Sequence, residues 1–174
     1  MRWERLFSDL EDQLAAGRLA DVRAEVAELA RAERASVGLS ARVRASVGNR
    51  LRVRLEGGEH VDGTLLDAAP EWLLLETPPA RRALVPLAAM VAIDGLATDA
   101  APAAGVVESR LGLGQVLRAL ARDRVGVRVC AGGVELVGRI DRVGADHLDV
   151  AELGTQGRAL WAVPFERLGV VHEA

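Results

Sequence analysis

Five arginines, Arg42, Arg44, Arg50, Arg52 and Arg54, fall within thirteen residues, and Arg118, Arg122, Arg124 and Arg128 form a second group. A guanidinium offers a planar fork of N–H donors that grips a carboxylate or phosphate at two points. An array of them on one face therefore suits the backbone of a nucleic acid or an acidic protein partner. The same groups paired with Glu56, Glu59, Asp123 or Glu135 would merely keep a surface polar, because exposed ion pairs contribute only ~0–1 kcal/mol. Written over one another, the two groups place Arg44, Arg50 and Arg54 on Arg118, Arg124 and Arg128. These six are the candidate contacts for nucleic acid or an acidic partner.

Other reactive side chains are sparse. Asp141, Asp146, His147 and Asp149 lie close together, but their spacing fits no metal-ligand or catalytic motif and reads as polar residues around a β-turn. His60 and His172 are isolated in the sequence. The single cysteine, Cys130, excludes an internal disulfide, and only Arg128 stands near enough in sequence to activate it, so it reads as a structural thiol. No nucleophile is paired with a base. The expectation is a protein with no catalytic residues, no metal, no cofactor and no small-molecule substrate, that is, not an enzyme.

The 22 basic and 25 acidic residues give a net charge of −3, which excludes the global basic field typical of dedicated nucleic-acid binders. All the basic residues are arginine, and with the abundance of Ala, Gly and Val this points to a GC-rich bacterial coding sequence. Half the residues are apolar, which excludes a disordered chain, yet aromatics make up 3 % with no tyrosine. Cores must then be built from Leu, Val and Ala. Acidic residues interrupt the N-terminus where a secretory signal would be apolar, and no stretch approaches about 18 uninterrupted apolar residues. A cytoplasmic protein without membrane contact is expected.

The elements that position these residues follow from periodicity. Trp3, Leu6, Phe7, Leu10 and Leu14 form one helical stripe and Leu19, Val22, Val26 and Leu29 a second, with Gly17 between them. Residues 1–35 are therefore helical, as a hairpin or as one long helix. An isolated helical segment cannot bury its apolar face alone, so Trp3, Leu6, Phe7 and Leu10 pack on the first β-barrel that follows or contact a partner helix.

The remainder repeats. Gly38 to Leu55 aligns with Gly112 to Val129 without a gap. After one extra residue in the second copy, Gly57-Gly58 falls on Gly132-Gly133, Gly63 on Gly138, Leu65 on Ile140 and Trp72 on His147. Three more residues bring Val85-Pro86-Leu87 over Val163-Pro164-Phe165 and Ile93 over Val171. Leu51, Val53 and Leu55 alternate with Arg52 and Arg54, and a Gly-Gly pair follows, as a strand entering a tight hairpin requires. Four more short strands follow, near residues 60–67, 72–76, 83–87 and 90–94, with a helical turn before the last. The domains expected are an N-terminal helical segment at 1–37, a first small β-barrel with its leading helix at 38–96, an Ala/Pro linker at 97–108 and a second barrel with its helix at 109–174.

Helix, bent strand, Gly-Gly hairpin, Gly-x-Leu, apolar third strand and a short turn into a fifth strand together resemble the Sm-like fold, over residues 38–95 and 112–172; an SH3-like barrel of another lineage shares the pattern. The fold class implied is mainly β with N-terminal α, two five-stranded barrels in tandem, each preceded by a helix. The resemblance implies ring assembly and RNA binding, but the family's RNA-site residues are missing: Leu73 and Leu148 stand where an Asn is expected, and Leu87-Ala88-Ala89 and Phe165-Glu166-Arg167 replace the Arg-Gly turn. Trp72 and His147 begin the third strands, where they either stack on a base or cap a barrel end. The leading functional expectation is a non-enzymatic binding or adaptor module acting through protein–protein contacts or self-association. The alternative is RNA or DNA binding through the arginine-rich faces.

Overall fold

The structure is a computed structural model that describes residues 17–18, 21–32, 35–102, 111–154 and 157–174. The chain divides into two units, Met1–Val37 and Gly38–Ala174. Within the first, residues 21–32 form a helix, α1, on which Val22, Val26 and Leu29 are exposed. Trp3, Leu6, Phe7 and Leu10, the expected partner-helix contacts, lie outside the described residues.

The second unit is mainly β. Helix α2 (Leu39–Ala45) leads into β1 (Arg50–Leu55), β2 (His60–Ala68), β3 (Trp72–Thr77), β4 (Arg81–Pro86) and β5 (Met90–Asp94). Helix α3 (Leu113–Asp123) leads into β6 (Gly126–Ala131), β7 (Val134–Val143), β8 (His147–Gly154), β9 (Gly157–Pro164) and β10 (Leu168–Glu173). The strands fall where the alternation places them because each apolar residue of a half-buried strand must face inward. In β1, Leu51, Val53 and Leu55 are buried while the three arginines face out. Gly57 and Gly58, with φ of 89° and 87°, and Gly132 and Gly133, with φ of 56° and 83°, turn the two hairpins in a conformation other residues resist.

All ten strands belong to one antiparallel sheet in the order β5-β1-β2-β3-β4-β10-β6-β7-β8-β9. The order 5-1-2-3-4 thus occurs twice, and the two runs join where the fourth strand of the first copy pairs with the fifth of the second, Leu84 opposite Val171 and Ala83 opposite His172. The sequence leaves open whether the copies share a sheet. They do, and their cores interlock. Val170 of β10 is fully buried in the first core, beside Val53 and Leu75, whereas Trp72 and Leu84 of the first copy are buried in the second, with Leu117, Val129 and Leu148.

The internal repeat is visible in the pairing, with one correction. Both β2 and β7 bulge just after Leu65 and Ile140, Trp72 and His147 face Pro86 and Pro164, and a short 3-10 turn follows each proline. In the first strands, however, Gly63 faces Leu51 while Gly138 faces Val127. Leu51 therefore corresponds to Val127, two residues beyond the partner the ungapped alignment assigns. The two-residue surplus arises in the helix, because α3 has 11 residues against 7 in α2 while the stretch joining it to its strand is shorter. Arg52 then corresponds to Arg128, and Arg54 to Cys130.

Candidate functional site

The six candidate arginines are dispersed. Arg44 donates from its guanidinium to the Pro102 carbonyl, and Arg118 to that of Gly144 at 3.0 Å. Both tie loops down, as does Arg42, which reaches the Ala97 carbonyl from Nε and Nη2 at 3.3 and 3.2 Å. Buried Ser46 completes that anchor, donating to the Arg42 carbonyl and accepting the Ala97 N–H, each at 2.8 Å. Residues 97–102, in the stretch that reads as a linker, are thereby hydrogen-bonded along α2.

Arg50, Arg54, Arg124 and Arg128 remain exposed, and each lines a different depression. Arg50 borders one with Gly63 and Glu76, while Arg54 borders another with Arg52 and His60. Arg52 has Asp94 within 3.8 Å. Arg124, which ends α3 in the left-handed conformation at φ 51°, meets Arg122 and Arg139 around a depression of about 580 Å³. Arg128 lies at the seam between the copies, opposite His172.

The two third-strand candidates separate. Trp72 is buried, and its indole N–H donates to the Leu111 carbonyl at 2.7 Å, so no face is open for stacking on a base. His147 is partly exposed and its Nδ1 lies 2.8 Å from Asp146 Oδ1, a contact that holds the Asp146 carboxyl below its usual range. Asp141 and Asp149 lie on the strands to either side, β7 and β8.

Two features were not visible from residue spacing. The first is the pair of sheet ends. Among the described residues β9 pairs only with β8 and β5 only with β1, so each offers an unpaired row of backbone N–H and C=O groups. On β9, Leu160 is 57 % exposed and Trp161 50 %, large apolar groups on neighbouring positions of an open edge. The indole N–H of Trp161 is held by Glu152 Oε2 at 2.8 Å. The continuous apolar run from Ala159 to Val163 in β9 could have marked a strand, but not an edge.

The second is a side-chain cluster. Glu59, Cys130 and His172, isolated in sequence, bring their ligand atoms within 4.8 Å of one another, and all three residues are half-buried. His172 Nε2 lies 3.6 Å from Glu59 Oε1. Burial and the Glu59 carboxylate push the Cys130 thiol up to about 12. Burial, with the Arg128 charge, holds His172 below the usual imidazole range despite Glu59. The copies had to be folded together before this convergence could be seen.

No helix among the described residues is long and apolar enough to cross a membrane. No known family model and no curated protein matches the chain.

Proposed function

We propose that this chain is a non-enzymatic binding module, built of two Sm-like or SH3-like barrels in tandem, that works by pairing the free edges of its sheet with strands of a second copy. The observation that carries this reading is the edge strand β9, unpaired on one side and carrying exposed Leu160 and Trp161. An edge of this kind is a template for strand addition, in which backbone hydrogen bonds supply affinity and alternate side chains supply specificity.

The internal seam supports a second copy as the occupant. There β4 binds β10, a fourth strand to a fifth. By the repeat, β9 corresponds to β4 and β5 to β10, and these are the two ends left open. Repetition of the internal contact would set Ala162 opposite Ile93 and Trp161 opposite Asp94 of the next chain. Such a head-to-tail contact closes into a ring or continues as a filament, depending on the rotation per copy. The exposed stripe Val22, Val26 and Leu29 on α1 offers a second protein-binding route that does not involve the sheet.

The test is sedimentation velocity over a wide range of protein concentration, with the wild type and a Leu160→Lys, Trp161→Glu variant. Concentration-dependent assembly that the double variant loses, with an unchanged far-UV spectrum, supports edge pairing. A wild type that stays monomeric throughout overturns self-association. Assembly that survives the double variant but is lost on deleting residues 1–35 transfers the role to the N-terminal segment.

A further inference from the structure

We propose that Glu59, Cys130 and His172 form a binding site for one borderline-soft divalent cation, of the chemistry of zinc, at the seam between the two copies. The three residues come from three elements. Glu59 ends the β1–β2 hairpin of the first copy, where its carbonyl accepts the Leu55 N–H at 2.8 Å. Cys130 lies on β6 and His172 on β10 of the second. Cys130 faces Val170 in the ladder and His172 faces Arg128, so the thiol and the imidazole are diagonal neighbours on adjacent strands, reaching the same side of the sheet.

The dimensions suit coordination. Zn–S bonds of about 2.3 Å and Zn–N or Zn–O bonds of about 2.0–2.2 Å separate the ligand atoms of a tetrahedral site by roughly 3.3–3.8 Å. The donor atoms here all lie within 4.8 Å of one another, and the His172 and Glu59 atoms are already 3.6 Å apart. Small side-chain rotations close the remainder. Thiolate, imidazole and carboxylate together select zinc and its neighbours over calcium and magnesium, which favour all-oxygen sites.

Three protein ligands leave a fourth position for water. A cavity of about 280 Å³ meets the cluster at His172, with Arg128 also in its wall. The charge balance points the same way, because Glu59 raises the affinity of the Cys130 thiol for its proton. A cation takes that proton's place and compensates the carboxylate and the thiolate together. Arg128 acts on both Cys130 and His172 but has no lone pair with which to coordinate. The site would fasten the first copy's hairpin to β6 and β10 and thereby clamp the seam.

The experiment is a titration of tag-free, metal-free full-length protein with Co²⁺, followed by displacement with Zn²⁺. Binding of one equivalent, with a thiolate-to-cobalt charge-transfer band and the intense visible bands of a four-coordinate site, is expected. Cys130→Ser, which changes little volume, should abolish the charge-transfer band. His172→Ala and Glu59→Gln should each weaken Zn²⁺ binding about tenfold or more. Glu59→Gln, on a hairpin turn, should leave the far-UV spectrum unchanged, so its affinity is informative even where another variant fails to fold. Absence of stoichiometric binding overturns the site, and so does binding that depends on Cys130 while His172→Ala and Glu59→Gln leave it unaltered.

Discussion

Trp72 stands on the third strand of the first copy, yet its indole N–H donates to the carbonyl of Leu111, just ahead of the second copy's helix, at 2.7 Å. Glu71 beside it accepts the Leu113 N–H at 3.0 Å, satisfying one of the donors that the start of α3 leaves free. With the ring buried in the second core, neither copy is complete without the other. Residues Gly38–Ala174 should therefore unfold in one transition, with circular dichroism and tryptophan fluorescence coincident in urea. Trp72→Ala should cost about 3–5 kcal/mol of stability. Trp72→Phe keeps most of the ring but leaves the Leu111 carbonyl unpaired, and should cost about 1–3 kcal/mol. Two separated transitions would contradict the interlocked cores.

Gly63 and Gly138 are fixed by backbone approach. A Cβ on Gly63 would strike the Glu76 carbonyl, and one on Gly138 that of Ala151, both in rigid strands. Gly63→Ala and Gly138→Ala should each destabilise by about 1–3 kcal/mol in urea denaturation. The two penalties should match, since the same contact recurs in both copies. An alanine tolerated at one position and severe at the other would show that the repeat is not kept in the packing.

These glycines also explain how much could be read beforehand. Strand limits followed from alternation and turn glycines, the pair Trp72/His147 from its equal distance to Gly63 and Gly138, and the pair Pro86/Pro164 from the Val-Pro step shared after three extra residues in the second copy. The register of the first strand did not follow. A two-residue shift in a period-2 pattern leaves every apolar residue on its original face, so Leu51, Val53 and Leu55 match Val125, Val127 and Val129 as well as they match the true partners. Only cross-strand pairing shows that Arg54 corresponds to Cys130. The seam was equally hidden, because the consecutive apolar residues of β4 and β10 recur in β9, which ends at an open edge, so the pattern alone does not single out the strands that join. Everything that depends on the seam, including the convergence of Glu59 on Cys130 and His172, was hidden with it.

Leu160 and Trp161 should report on association without affecting folding. Both are at least half exposed, so Leu160→Lys should change unfolding free energy by no more than about 0.5 kcal/mol. Trp161→Ala also releases Glu152, whose carboxylate holds the indole N–H, and exposed contacts of that kind are worth about 1 kcal/mol or less. A loss of several kcal/mol from either change would mean that β9 is core in the isolated chain rather than an open edge.

Cys130 should resist alkylation in the native, metal-free protein. A thiol pushed up to about 12 is ionised at pH 8 to about one part in 10⁴, against about a quarter for an ordinary cysteine. The greater nucleophilicity of a more basic thiolate recovers about one and a half orders of magnitude of that deficit. Iodoacetamide should then react about a hundredfold more slowly than in urea, as read by mass spectrometry. Equal rates in the two conditions would show that Glu59 and the surrounding burial do not hold the thiol.

The last prediction concerns nucleic acid. Arg44 and Arg118 already donate to backbone carbonyls, which leaves Arg50, Arg54, Arg124 and Arg128 as phosphate contacts. Each phosphate neutralised releases counterions, so the logarithm of the binding constant should fall with the logarithm of salt by about 0.9 per contact on duplex DNA and about 0.7 on single strands. Four contacts would give a slope of about 3.6 on duplex, but these arginines border four separate depressions, so the slope should fall short of that value. With a net charge of −3 adding no long-range attraction, binding should be no better than nonspecific, about 10⁻⁴ to 10⁻⁶ M at physiological salt. Fluorescence anisotropy with single-stranded RNA and duplex DNA across a salt series, for the wild type and an Arg50→Ala, Arg54→Ala, Arg124→Ala, Arg128→Ala variant, measures this. A shallow slope that barely differs between the two proteins agrees with a protein-binding module. Nanomolar, sequence-selective binding abolished by the four substitutions would instead make the arginines the working surface, and the open edges of the sheet would no longer explain the function.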